Sequence, residues 1–93
     1  MANATYLQGT TTVGTTATLI ASPDCGTGGI YLTNTGSATV YLGGASVTTS
    51  GATAGPSLAA GASLIFPTSK GPSDLYGIVA TGTTTVAWAY SPV

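Results

Sequence analysis

The sequence predicts an all-β fold, a small antiparallel β-sandwich or barrel of about six to eight short strands with an extended N-terminal arm. Three observations predict it. Apolar residues recur at every second position in short runs, as in Ile30-Tyr31-Leu32 and Leu75-Tyr76-Gly77-Ile78-Val79. Clusters of Gly, Pro, Ser and Asn separate those runs. Long helix-favouring side chains are nearly absent, with one Lys, one Gln, no Glu and no Arg, whereas Thr occurs 19 times. The branched threonine side chain suits a pleated, half-exposed surface.

Residues 1–9, MANATYLQG, have no period and read as the arm, with residues 10–93 as the sandwich domain. Residues 10–21 set Val13, Thr15, Ala17, Leu19 and Ala21 against polar neighbours. They read as one strand, with Gly14 at a bulge or bend. Residues 22–29, SPDCGTGG, are a turn cluster. Residues 30–33 form a strand, 34–37 a turn and 39–42 a return strand. As a hairpin this places Ile30, Leu32, Val40 and Leu42 on one face and Tyr31 and Tyr41 on the other.

Residues 43–57 are poor in large side chains and read as a loop, with a short strand at Val47-Thr48. Residues 58–64, LAAGASL, predict a tight turn with Gly61 at positive φ. Residues 63–66 form a strand stopped by Pro67, and 68–73 a second loop. Residues 74–80 and 84–90 read as a last hairpin around Thr81-Gly82, with Gly77 leaving room for Trp88, and Pro92 ends the fold. The frame T-G-x-x-T-V occurs at 35–40 and again at 81–86. It reads as a hairpin device, in which Gly permits the turn and Thr-Val starts the return strand.

At 93 residues the chain holds one core. Its only charged side chains are Asp24, Lys70 and Asp74. One cation cannot neutralise a run of phosphates, so no nucleic-acid partner is expected. No apolar run is long enough to cross a membrane as a helix, and no membrane partner is expected. Residues 1–20 lack the basic start and apolar centre of a secretory signal. With no histidine, one cysteine (Cys25) and two aspartates, no common zinc ligand set can be completed. No base other than Lys70 is at hand to activate a hydroxyl. The expectation is a protein that is not an enzyme, with no catalytic residue, no metal ligand and no cofactor. A net charge of −1 favours association over solitary life.

Two groups of residues remain as candidates for contact. Tyr6, Leu7, Thr10, Thr11 and Thr12, in the arm and just beyond it, are candidates for contact with a capsid or another subunit. Tyr31, Tyr41, Tyr76, Trp88 and Tyr90 are candidate core or interface aromatics.

The segment Ile30-Tyr31-Leu32-Thr33-Asn34-Thr35-Gly36, followed by Val40-Tyr41-Leu42-Gly43-Gly44, resembles small β-rich virion structural proteins of tailed bacteriophages. So do residues 58–64 and the closing LYGIVATG of residues 75–82. The resemblance covers about residues 30–90. It implies a capsid decoration (cement) protein that binds the outside of the mature head and stabilises contacts between capsomers. The implied partner is the major capsid protein, and the implied location is the virion surface after synthesis in the host cytoplasm. Closed symmetry is usual among homo-oligomers, and a homotrimer is expected, with no small-molecule substrate. The alternative is a tail or fibre structural module that binds a glycan or receptor. A glycan module would expose an aromatic ring, whereas a decoration protein would bury its rings.

Overall fold

The computed structural model describes residues 6–22, 29–67 and 74–90. There the alternating runs become eight strands: β1 (Leu7–Val13), β2 (Thr18–Ala21), β3 (Gly29–Asn34), β4 (Val40–Gly43), β5 (Ser57–Leu58), β6 (Ser63–Pro67), β7 (Leu75–Val79) and β8 (Thr84–Tyr90). They form two four-stranded sheets, ordered β1-β8-β3-β6 and β2-β7-β4-β5. Every strand pairing in both sheets is antiparallel. This order is that of a jelly roll, a sandwich rather than a barrel.

The short connections 14–17, 35–39, 59–62 and 80–83 each carry the chain from one sheet to the other. All four lie at one end of the sandwich, because Val13 pairs with Thr84, Asn34 with Val86 and Thr33 with Ser63. Two hairpins expected from the sequence are therefore corners. β3 pairs with β6 and β8, not with β4, and β7 pairs with β2 and β4, not with β8. Ile30 and Leu32 do share a core with Val40 and Leu42, but from opposing sheets. Tyr31 and Tyr41 consequently lie on opposite outer faces of the sandwich.

The strand expected over residues 10–21 is also split between sheets. Gly14 opens the connection from β1 to β2, and its carbonyl accepts the Val79 N–H at 3.0 Å. A bulge does occur, one turn later. Leu19 pairs with Tyr76 and Ala21 with Leu75, which leaves Ile20 as the extra residue. Ile20 and Ala21 are both buried as a result, while Leu19 faces outward and is 44% exposed. β1 starts at Leu7, so residues 7–9 belong to the sandwich and pair with β8. Residues 1–5 of the arm, the turn cluster with Asp24 and Cys25, the loop with Lys70, and Pro92 lie outside the described residues.

The core is aliphatic. Val13, Ile30, Leu32, Val40, Leu42, Val79 and Val86 are at most 1% exposed. Each such side chain contributes on the order of 1.5–3 kcal/mol by leaving water. Gly77 belongs to this layer: a Cβ there would lie 2.8 Å from Ile20 Cδ1 and 3.0 Å from Val40 Cγ2. It does not make room for Trp88. That role falls to Gly9, the cross-strand partner of Trp88, where a Cβ would lie 2.9 Å from the indole Cζ2. Gly61 has φ +80°, as the tight turn requires.

One buried polar residue ties the corner end together. Asn34 is fully buried. Its Nδ2 donates to the carbonyls of Ala38 at 2.7 Å and Leu58 at 2.9 Å. Its Oδ1 accepts from Gly36 N at 3.1 Å and from the Thr84 hydroxyl at 2.6 Å. Its backbone N–H donates to Ala62 O, and its carbonyl accepts from Gly61 N. Both amide hydrogens and both acceptor sites of the side chain are thereby used. The two T-G-x-x-T-V corners meet here, with Thr35 N also donating to Thr85 O at 2.9 Å.

Candidate functional site

The surface is built from what alternation sends outward. On the β1-β8-β3-β6 sheet, the register aligns two rows across all four strands. One row is Gln8, Ala89, Tyr31 and Ile65; the next is Thr10, Ala87, Thr33 and Ser63. The alanines of the interior strand β8 stand lower than the side chains on either side. Between them runs an open trough of about 390 Å³, lined by Gln8, Gly9, Thr10, Tyr31, Thr33, Ala87, Trp88 and Ala89. Tyr31 is 55% and Ile65 51% exposed, and the two are direct cross-strand partners. The Thr33 and Ser63 hydroxyls are hydrogen-bonded at 2.9 Å.

The other outer face is different. Leu19, Tyr76 and Gly43 form one row and Ile78, Tyr41 and Ser57 the next. Leu19 is exposed, and Tyr41, Tyr76 and Ile78 are half-buried. Val47, only 5% exposed, folds back over Gly43, whose Cβ would lie 3.1 Å from its Cγ2. Neither outer face carries a charged side chain, and Asp74 is the single charged residue among the described ones. The edge strands β1, β6, β2 and β5 are uncharged throughout.

The ten candidate residues are not brought to one place. Tyr6 is 60% and Leu7 46% exposed, at the start of β1. Thr10 and Thr12 face outward beside β8, and Thr10 lines the trough. Thr11 is engaged: its hydroxyl donates to Ile20 O at 3.1 Å, stitching edge strand β1 to edge strand β2 of the opposite sheet. Tyr31 lies on one outer face and Tyr41 and Tyr76 on the other. Trp88 and Tyr90 face inward, stacked with ring centroids 5.7 Å apart and packed on the margin of the core. Among the described residues no acceptor reaches the buried Trp88 Nε1.

Sequence reasoning missed Gln8, Ala87 and Ala89 as members of one surface feature. The signal was the alternation of alanine with Trp88 and Tyr90 along β8, which predicts a low outer face over a filled inner one.

Searches against protein-family models, curated proteins and solved structures return no match to this chain.

Proposed function

We propose that this chain is a bacteriophage capsid decoration protein, which binds the outside of the mature head as a homotrimer and stabilises contacts between capsomers. The observation that carries the reading is the lack of charge on the sheets. Sandwiches that live alone guard their edges with charge, Pro, bulges or short strands. Here β2 is bulged, β6 ends at Pro67 and β5 is two residues long, but no edge strand carries a charge, and Leu7, Leu19 and Ile65 stand exposed. The exposed Tyr31 ring departs from the buried rings expected of this reading. Such a surface suits packing against neighbours through apolar and backbone contacts, which salt weakens little. Each copy that binds only the mature lattice stabilises that lattice by mass action. Jelly rolls serve as viral capsid and lectin domains, a likeness of architecture that alone assigns no function. The resemblance of residues 30–90 to phage virion proteins adds to it.

The test is incubation of the purified protein with undecorated, expanded heads, followed by cryo-electron microscopy. Regular density at three-fold and quasi-three-fold positions is the expected result, with occupancy insensitive to salt. Bare heads, together with the protein's absence from the heads of intact virions, would move it to the tail or fibre. Because β1 begins at Leu7, deletion of residues 2–5 removes arm without removing strand. That variant is expected to lose occupancy while keeping its fold.

A further inference from the structure

We propose that the trough on the β1-β8-β3-β6 face is a binding site for a neutral saccharide. The inference goes beyond the decoration reading and rests on the exposed Tyr31 ring, the feature expected of a glycan-binding module; its test reads sugar binding and not head occupancy. Four properties of the trough select the ligand class.

The first is charge. None of the lining residues is ionic, so an anion would meet no counter-charge and a cation no carboxylate. The second is hydrogen bonding. The lining is mostly apolar, but Gln8 offers an amide and Thr10 a hydroxyl, each able to donate and accept, and the Thr33 hydroxyl keeps capacity beyond its bond to Ser63. A ligand matched to them carries groups that also donate and accept, as sugar hydroxyls do. The third is shape. The walls on β1 and β3 are two strand spacings apart, about 9.6 Å. A single ring can seat on the Ala87–Ala89 floor between them, and the 390 Å³ volume lies at the low end of small-ligand sites, roughly 300–1,000 Å³. The fourth is the Tyr31 ring, exposed beside its cross-strand partner Ile65, which offers a flat apolar surface to the C–H face of a pyranose.

The same geometry argues against a peptide strand. β8 is paired on both sides, with β1 and with β3, so its backbone offers no free ladder to an added strand. Nucleic acid would need cations that the face lacks.

The experiment is a titration of isotope-labelled protein with neutral oligosaccharides of glucose, galactose, mannose and N-acetylglucosamine at millimolar concentration, followed by amide chemical shifts. At least one is expected to give saturable shifts confined to Gln8, Thr10, Tyr31, Thr33, Ala87 and Ala89, unchanged between low and high salt. Tyr31→Ala is expected to weaken that binding about tenfold or more, equivalent to about 1.4 kcal/mol. Ala87→Leu, an outward substitution that fills the floor, is expected to abolish it. Amide spectra of both variants without sugar report that the fold is kept. The proposal is overturned if no neutral sugar gives saturable shifts, if the shifts map elsewhere, or if both folded variants bind as the parent does. A response only to anionic sugars, falling with salt, would overturn it as well.

Discussion

The two T-G-x-x-T-V corners share a frame and a task, yet their glycines are required for different reasons. At Gly36 the backbone is ordinary. A Cβ there would strike the Thr84 hydroxyl and approach Thr85 N to 2.7 Å, so the second corner crowds it from outside. At Gly82 the space is open, with nothing within 4 Å of a Cβ, but φ is +71°. Its own backbone demands glycine. The first corner is a socket and the second the plug, and Asn34 is the clasp between them. A repeated motif is thus one sequence solution to two physical problems.

The comparison can be broken most severely at the clasp. Asn34→Ala removes four side-chain hydrogen bonds and leaves Gly36 N, the Thr84 hydroxyl and two carbonyls without it. A loss of about 4 kcal/mol or more is expected in chemical denaturation, at unchanged slope. A domain of this length has only about 5–14 kcal/mol in total, so the variant should be marginal at ambient temperature. Gly36→Ala follows, at about 3 kcal/mol, because the start of β8 must shift to admit the methyl group. Thr84→Val, which keeps the shape and deletes the hydroxyl, should cost about 1–2 kcal/mol. Combined with Asn34→Ala it should cost less than the sum of the two, with a coupling of about 1 kcal/mol or more. Full additivity would mean that the 2.6 Å contact contributes nothing. The smallest effect belongs to Gly82→Ala, about 1 kcal/mol once backbone strain is offset by the stiffer unfolded chain, and Gly82→Asn should recover part of it. If the alanines at 36 and 82 cost the same, the distinction between socket and plug fails.

Much of the fold was legible because alternation reports which side of a strand faces the core. Ile30, Leu32, Val40 and Leu42 were placed on one face on that signal, and all are buried. Alternation does not report which sheet a strand joins. In a sandwich the inner faces look at each other, so a hairpin and a corner bury the same residues, and β3–β4 and β7–β8 satisfied both descriptions. The strand over residues 10–21 failed for a related reason. Its apparent period ran through a connection, and the bulge at Ile20 then reversed the face of Leu19. The pairing of a glycine with Trp88 was correct in kind but assigned to Gly77 instead of Gly9, because only register reveals a cross-strand neighbour. The same limit hid the trough. Tyr31 was placed on the face opposite Ile30 and Leu32, as a core or interface aromatic, but its position beside Ala89 and opposite Gln8 depends on strands far apart in sequence.

The last strand lies in the middle of its sheet. β8 separates β1 from β3, and Leu7 is paired with Tyr90. On a ribosome, where synthesis runs from the N-terminus, β1 and β3 therefore emerge with no partner between them. The four-stranded sheet cannot assemble until residue 90 is free, and the Asn34 clasp must wait for Thr84. Folding of this sheet consequently waits for its last strand, and it is governed by closure of distant contacts and slow for its size. A nascent chain stalled with β8 inside the ribosome should remain sensitive to protease along β1 and β3, and one stalled with β8 exposed should not.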